Sequence, residues 1–83
     1  MSEYADRIEE LVSFLVSSLV DDPDQVSVLA DEQENHLRIT LQVSDDDIGK
    51  IIGRGGRTIK SIRTLARAAA GDSPLLVEVD VGD

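Results

Sequence analysis

The sequence predicts an α+β fold in which a three-stranded sheet is covered by helices. Apolar residues recur at helical spacing over residues 4–20 and 57–70, and they alternate with polar residues in three other segments. Cap and turn residues separate these segments at short intervals. The predicted order is helix, strand, strand, helix, glycine turn, helix and strand, all within one small domain.

The first predicted helix spans Tyr4–Val20, and Ser2 is placed to cap its free N–H groups. Its inward-facing stripe consists of Ile8, Leu11, Val12, Leu15, Val16 and Leu19. Phe14 and Val20 fall outside this stripe, so they either fill the edge of the same core or face a partner. The helix ends before Pro23, because a proline pushes the preceding residue out of the helical region. The neighbouring aspartates lack the glycine and distal glutamate of a calcium loop and are expected to form a solvated turn.

Two predicted strands follow, Gln25–Asp31 and His36–Val43. Their inward residues are Val26, Val28 and Ala30 in the first strand and Leu37, Ile39, Leu41 and Val43 in the second. The polar turn at residues 32–35 is short, which favours an antiparallel hairpin. His36 is the only histidine and is expected to be an exposed bystander. A last strand is predicted at Leu75–Val81, and its core-facing residues are Leu75, Val77, Val79 and Val81.

Between the hairpin and the last strand, the sequence predicts two helices joined by a glycine turn. A serine and three aspartates at 44–47 start a short helix over residues 46–52, since small acceptors and acids favour a helix N-terminus. Gly49 interrupts this helix and Gly53 ends it. The second helix spans Arg57–Ala70 and ends at a glycine. Its core-facing residues are Ile59, Ile62, Ala66 and Ala69.

The charge distribution divides the chain into a basic segment and an acidic remainder. The net charge is −9, yet six of the eight Lys and Arg residues lie between Lys50 and Arg67, a window without Asp or Glu. Charges beyond a Debye length, about 8 Å at physiological salt, are largely screened. A phosphate at the glycine turn would therefore interact mainly with the local basic face. The acidic remainder of the chain weakens non-specific binding of nucleic acid.

The centre of the basic segment is Gly53–Gly56, of sequence GRGG. Three glycines in four positions allow a sharp turn with few side chains, so N–H groups there and at the next helix can donate to a phosphate. Taken alone, such a turn also fits a structural corner between helices. A Walker loop does not fit because Ile51 follows Gly49 and Lys50, and a dinucleotide fingerprint does not fit because the glycines join two helices.

The wider string IIGRGGRTIKSI resembles the signature of KH domains, in which Ile-Gly-x-x-Gly-x-x-Ile-x-x-Ile crosses a helix–turn–helix. The matching residues are Ile52, Gly53, Gly56, Ile59 and Ile62. The predicted element order is similar to that of the type II KH fold, and the chain resembles the small bacterial KhpA, or YlqC-like, family. The resemblance covers nearly the whole chain, so residues 1–83 are expected to form a single KH domain.

This resemblance implies binding of single-stranded RNA, with the GXXG loop clamping about four nucleotides. The candidate RNA-binding residues are Ile52, Gly53, Arg54, Gly55, Gly56, Arg57 and Lys60. An aliphatic groove beside the edge of the second strand is expected to hold the bases, and it comprises Ile48, Ile51 and Ile52, with Arg38 at its rim. Arg63 and Arg67 lie further along the helix and are expected to balance the acidic surface. The scarcity of aromatics disfavours a stacking platform of the RRM kind.

Partners and a cellular role are also implied by the resemblance. The family forms homodimers, and heterodimers with a larger KH protein of the Jag/EloR (KhpB) type, and it acts as an RNA chaperone or regulator linked to cell elongation and the envelope. An alternative is a protein-interaction module that keeps the KH fold and binds little RNA, which the net charge of −9 favours. Binding of single-stranded DNA is a lesser variant of the first hypothesis.

Several classes of protein are disfavoured by what the sequence lacks. It has no nucleophile–base set, metal-ligand spacing or cofactor loop, so neither an enzyme nor a bound cofactor or metal is expected. Cysteine is absent, which excludes disulfides. The N-terminal acids are the wrong charge for a signal peptide, and the apolar stretch at residues 11–20 is shorter than the roughly 20 residues that span a bilayer. A soluble cytoplasmic protein is expected.

Overall fold

Within residues 2–82, three α-helices and three strands follow one another in the predicted order. The computed structural model describes residues 2–82. The helices are α1 (Glu3–Leu19), α2 (Ile48–Ile52) and α3 (Arg57–Ala70), and the strands are β1 (Ser27–Gln33), β2 (His36–Gln42) and β3 (Leu76–Val81). The strands form one sheet in the order β1-β2-β3, in which β1 runs antiparallel and β3 parallel to the central strand β2. The predicted α+β class and three-stranded sheet are therefore confirmed.

The hairpin between β1 and β2 is tighter than predicted. Gln33 pairs with His36, so the turn consists only of Glu34 and Asn35, with Glu34 at φ 56°. Two-residue turns use positive φ to follow the twist of the strands they join. The predicted four-residue turn at 32–35 is therefore wrong. The predicted start of β1 is also wrong, because residue 25 belongs to a 3₁₀ turn that precedes the strand.

The core lies between one face of the sheet and the two long helices, α1 and α3, which pack side by side. Most of the predicted inward residues are buried, and the buried apolar side chains include Ile8, Val12, Val16, Leu37, Ile39, Leu41, Ile59, Ile62, Ala66, Val77 and Val79. Leu19 is an exception, since it ends α1 and is 42% exposed. Phe14 is 69% exposed and does not fill the edge of the core, whereas Val20 packs against it. Ser2 caps α1 as predicted, accepting the Ala5 N–H at 3.1 Å.

The start of α2 differs from the prediction. The aspartates at 45–47 form a 3₁₀ turn, and neither they nor Ser44 caps a helix with a side chain. Gly49 lies inside α2 without interrupting it. A helical glycine costs about 1 kcal/mol relative to alanine, and full burial of the neighbouring Ile51 offsets this. None of the helices in residues 2–82 has the length and hydropathy that crossing a bilayer needs.

Candidate nucleic-acid interface

The loop between α2 and α3, Gly53–Gly56, is formed by three glycines with positive φ and one arginine. Gly53, at φ 74° and ψ 172°, occupies a region that is open essentially to glycine alone. A Cβ on Gly53 would also lie 2.8 Å from the backbone nitrogen of Thr58, so the contact between loop and helix requires glycine. Gly55 and Gly56 have φ of 65° and 76°, and a Cβ on either would meet nothing within 4 Å. The outer side of the loop is therefore bare.

Two backbone donors of the loop have no acceptor among residues 2–82. The N–H groups of Gly53 and Gly56 close the turns by donating to the carbonyls of residues 49 and 53, at 2.9 and 3.1 Å. Those of Arg54 and Gly55 donate no hydrogen bond within the described residues. They precede the 14-residue helix α3, whose N-terminus carries a partial positive charge. The arrangement suits an anion such as a phosphate.

Three exposed cations on this loop and on the first turn of α3 have no carboxylate partner in the part of the chain that the structure describes. Within residues 2–82, no Asp or Glu oxygen lies within 4.0 Å of the side-chain nitrogens of Arg54, Arg57 or Lys60. The other cations are engaged: Arg7 with Glu3, Arg38 with Glu78, Lys50 with Asp21 and Asp47, Arg63 with Asp80, and Arg67 with the Val77 carbonyl. The three cations that the sequence assigned to RNA are thus available to an external anion.

The buried carboxylate of Asp47 joins the end of α1 to the start of α2. Only 2% of Asp47 is exposed, and its oxygens accept the N–H groups of Asp21 and Asp22 at 3.2 and 3.1 Å. The Lys50 ammonium lies 3.4 Å from the same carboxylate. Burial by itself raises the pKa of the Asp47 carboxyl, but the two N–H groups and Lys50 together hold it below the ordinary value of 3.8. Sequence reasoning missed this role, since a run of aspartates gives the same signal as a solvated helix cap.

The predicted aliphatic groove does not form as one surface. Ile51 is fully buried in the core and cannot support a base, while Ile48 and Ile52 are half-buried. The second strand is the centre of the sheet, so it has no free edge. Arg38 lies between two buried residues of β2 and therefore points to the sheet face opposite the helices, where its Nε lies 3.5 Å from Glu78. His36 shares that face and lies 3.1 Å from Glu78, so it is not an exposed bystander.

A cleft of about 450 Å³ lies instead between α3 and β3, the edge strand next to that helix. Its lining residues are Lys60, Arg63, Thr64, Arg67, Glu78, Val79 and Asp80. Lys60 lines this cleft and lies on the first turn of α3, the helix that directly follows the loop. The helical residues of the cleft are spaced i, i+3, i+4 and i+7, which places them on one face of α3. Only the strand order shows which strand this face meets.

Comparison with known protein families supports a KH domain. A family model described as KhpA/KhpB, KH domain, matches residues 9–81. This chain belongs to the KhpA/KhpB family of KH domains. A relative from Borreliella burgdorferi named RNA-binding protein KhpA is 43% identical over 83 residues, the full length of both chains. RNA-binding protein KhpA of Bacillus subtilis is 38% identical over 77 residues, 93% of this chain and 95% of that one. The predicted KhpA-like identity and type II KH fold are confirmed.

Two solved structures share the fold of this KhpA/KhpB-family chain. A single-residue variant of Era from Aquifex aeolicus, bound to GDP and AlF4−, has a TM-score of 0.65 at 21% identity, covering 99% of this chain and 33% of Era. A structure of Era in complex with MgGDPNP and a segment of 16S ribosomal RNA has a TM-score of 0.57 at 22% identity, covering 89% of this chain and 29% of Era. This chain therefore spans about a third of Era, and the likeness concerns the fold alone.

Proposed function

We propose that this protein binds single-stranded RNA at the Gly53–Gly56 loop. The free N–H groups of Arg54 and Gly55 donate to one phosphate, while the side chains of Arg54, Arg57 and Lys60 neutralise that phosphate and its neighbours. The observation that carries the proposal is the absence, within residues 2–82, of any carboxylate partner for these three cations. Relatives named RNA-binding protein KhpA add support.

The bases of the bound strand lie, in this proposal, in the cleft between α3 and β3 rather than on the aliphatic side of α2. Lys60 lies on the first turn of α3 directly after the loop and lines the cleft, so a strand whose phosphates follow the loop has its bases within reach of the cleft. Contact with about four nucleotides reads little sequence, and low sequence selectivity follows. The chain then acts as one non-catalytic KH domain in the cytoplasm.

The affinity for a short unstructured RNA should fall with salt along a log–log slope near −2, because three phosphate contacts contribute about −0.7 each for a single strand. Fluorescence anisotropy across a KCl series measures this slope. The substitution Arg54→Gln should make the slope shallower by about 0.7. Arg7→Gln removes an equal charge from α1 and should leave the slope unchanged. A wild-type affinity that does not vary with salt would contradict the roles given to the three cations.

A protein-interaction module with little RNA binding is the second candidate, and a specific feature favours it. The only two aromatic side chains, Tyr4 and Phe14, are 40% and 69% exposed on α1, and Leu65 of the adjacent α3 is 47% exposed. Exposed large apolar side chains on two helices that pack side by side are a feature that an interaction surface would use. The absence of RNA binding by the wild-type protein even at low salt would favour this candidate over the first.

The apolar surface of α1 and α3 is also where we place the contact in a homodimer, and in a heterodimer with a larger KH protein of the KhpB/Jag/EloR type. Phe14→Glu should weaken self-association about 30-fold, the loss expected for an aromatic hot spot. Sedimentation equilibrium measures it. Leu29→Glu is a matched control, since Leu29 is 54% exposed on β1. Equal effects of the two variants on self-association would exclude this surface as the dimer contact. A wild-type protein that stays monomeric at high concentration would exclude it as well.

Dimerisation would place two RNA sites in one particle and raise avidity without new base contacts. A dimer of this kind would act as an RNA chaperone or regulator, with effects on cell elongation and the envelope. Crosslinking of RNA to the protein in cells, followed by sequencing, tests this role. A bound set without transcripts for elongation or envelope proteins would remove that part of the proposal.

A further inference from the structure

Two arginines in the cleft between α3 and β3 are held by the backbone of the edge strand. Arg63 Nε donates to the Val79 carbonyl at 2.9 Å, and Arg63 Nη2 donates to Asp80 Oδ1 at 3.3 Å. Arg67 Nε donates to the Val77 carbonyl at 3.3 Å. The arginines lie one helical turn apart on α3, and their acceptors lie two residues apart on β3, about 6.6 Å along a strand. The two guanidinium groups therefore stand side by side along the edge of the sheet.

These hydrogen bonds do not involve the flat faces of either guanidinium group. All donors of an arginine lie in the plane of its guanidinium, so the acceptors on β3 occupy only the rim of the group. The side chain of Arg63 remains 33% exposed and Arg67 is exposed, and both border the cavity of about 450 Å³. A planar group that is already fixed loses little conformational freedom when a ligand stacks on it.

No aromatic side chain is available for stacking in this cleft. Both aromatics of the chain, Tyr4 and Phe14, belong to α1, and among residues 2–82 the cleft is lined by α3 and β3 alone. Arginine guanidinium planes serve the same purpose for unpaired bases in RNA-binding proteins. Lys60, one of the three cations with no carboxylate partner among residues 2–82, borders the same cleft one turn before Arg63 and two turns before Arg67. A phosphate at Lys60 would therefore bring its base to the guanidinium groups.

We infer that Arg63 and Arg67 form a stacking platform for the unpaired bases of a bound RNA strand, an inference that rests on the RNA-binding function proposed above. The platform does not distinguish among bases, because every base has a π face. It does distinguish unpaired from paired nucleotides, because the bases of a duplex are stacked on one another and cannot lie on the guanidinium groups. The two arginines thus select single strands, while the loop and its cations hold the phosphates.

The double substitution Arg63→Lys/Arg67→Lys tests the platform, since lysine keeps the charge and lacks the planar group. Affinities are measured by anisotropy for short oligo(rA), oligo(rC) and oligo(rU), and for an abasic oligonucleotide of equal length. The variant should bind each of the three normal strands about tenfold more weakly, the loss expected when base stacking is removed. It should bind the abasic strand as the wild type does. Arg7→Lys is the matched control and should bind all four strands normally, because Arg7 lies on α1 and pairs with Glu3, outside the loop and the cleft.

The outcomes separate this inference from the function on which it rests. A double variant that binds the normal strands as tightly as the wild type, or that weakens all four strands equally, would overturn the platform. A loss confined to one base would indicate recognition of that base's edge and would overturn it as well. If the wild-type protein binds none of the four strands, RNA binding itself is refuted. Thermal unfolding of the double variant checks that the domain stays folded.

Discussion

Replacing Arg54 and Gly55 together with aspartate should reduce the affinity for a short unstructured RNA by about 30-fold or more. One charge-assisted hydrogen bond contributes about 1.5–3 kcal/mol, which corresponds to roughly 10- to 150-fold in affinity, and the two new carboxylates add repulsion of the phosphate. The change replaces a cation and a bare backbone with two anions at the centre of the loop. Fluorescence anisotropy at low salt measures the loss.

The fold should tolerate this double substitution. The side chain of Arg54 is exposed and has no carboxylate partner within residues 2–82. Gly55 is left-handed, at φ 65° and ψ 19°, a conformation that aspartate adopts more readily than most residues, and a Cβ there would meet nothing within 4 Å. Circular dichroism should therefore report unchanged helical content, and sedimentation should report unchanged self-association.

A matched control distinguishes a local effect from a change in net charge. Arg7→Asp with Ser18→Asp makes the chain more negative by the same three charges, but at exposed positions on α1. It should alter RNA affinity less than the loop variant does, because the added charges lie on α1 rather than on the loop and salt screens exposed charges. Equal losses in the two double variants would show that the whole acidic surface, rather than the loop, controls binding. Retention of wild-type affinity by the loop variant would place the RNA elsewhere.

Local signals in the sequence were sufficient to predict the loop and the helix after it. The bounds of α3, Arg57–Ala70, agree with the prediction, because a strong apolar periodicity lies between two glycines. The three cations without carboxylate partners were also predicted as a group. Their grouping depends on spacing along one loop and one helix, so it required no knowledge of which elements meet in space.

The residues of the predicted base-binding groove do not form one surface, because their placement depends on tertiary contacts. The burial of Ile51 is set by the orientation of a five-residue helix, which periodicity does not determine over so short a segment. The edge position of β3 follows from its parallel pairing with β2, and this pairing joins segments separated by two helices. The partners of Arg63 and Arg67 are carbonyls 16 and 10 residues away, and no side-chain pattern indicates a carbonyl as a partner. The same limit applies to Asp47, whose donors lie 26 and 25 residues earlier.

Replacing Gly53 with alanine should lower the free energy of unfolding by about 2–4 kcal/mol, the combined cost of a strained backbone and an overpacked contact. The backbone of Gly53, at φ 74° and ψ 172°, is disfavoured for any residue with a Cβ. The new methyl group would also lie 2.8 Å from the backbone nitrogen of Thr58, which cannot move without displacing the first turn of α3. The midpoint of thermal unfolding should fall by roughly 10–25 °C, since 1 kcal/mol corresponds to about 4–8 °C in a domain of this size.

The neighbouring Gly55 provides the comparison that isolates this cause. Gly55→Asn introduces a residue that tolerates the left-handed region, and the Cβ of this asparagine would lie in open space. The free energy of unfolding should therefore change by less than about 1 kcal/mol. Urea unfolding of both variants measures the two costs on one scale. Similar stabilities for the two variants would mean that the loop has a different conformation in solution. If only Gly53→Ala is unstable, the two glycines have separate roles: Gly53 fixes the loop against α3, and Gly55 keeps its outer surface clear for a phosphate.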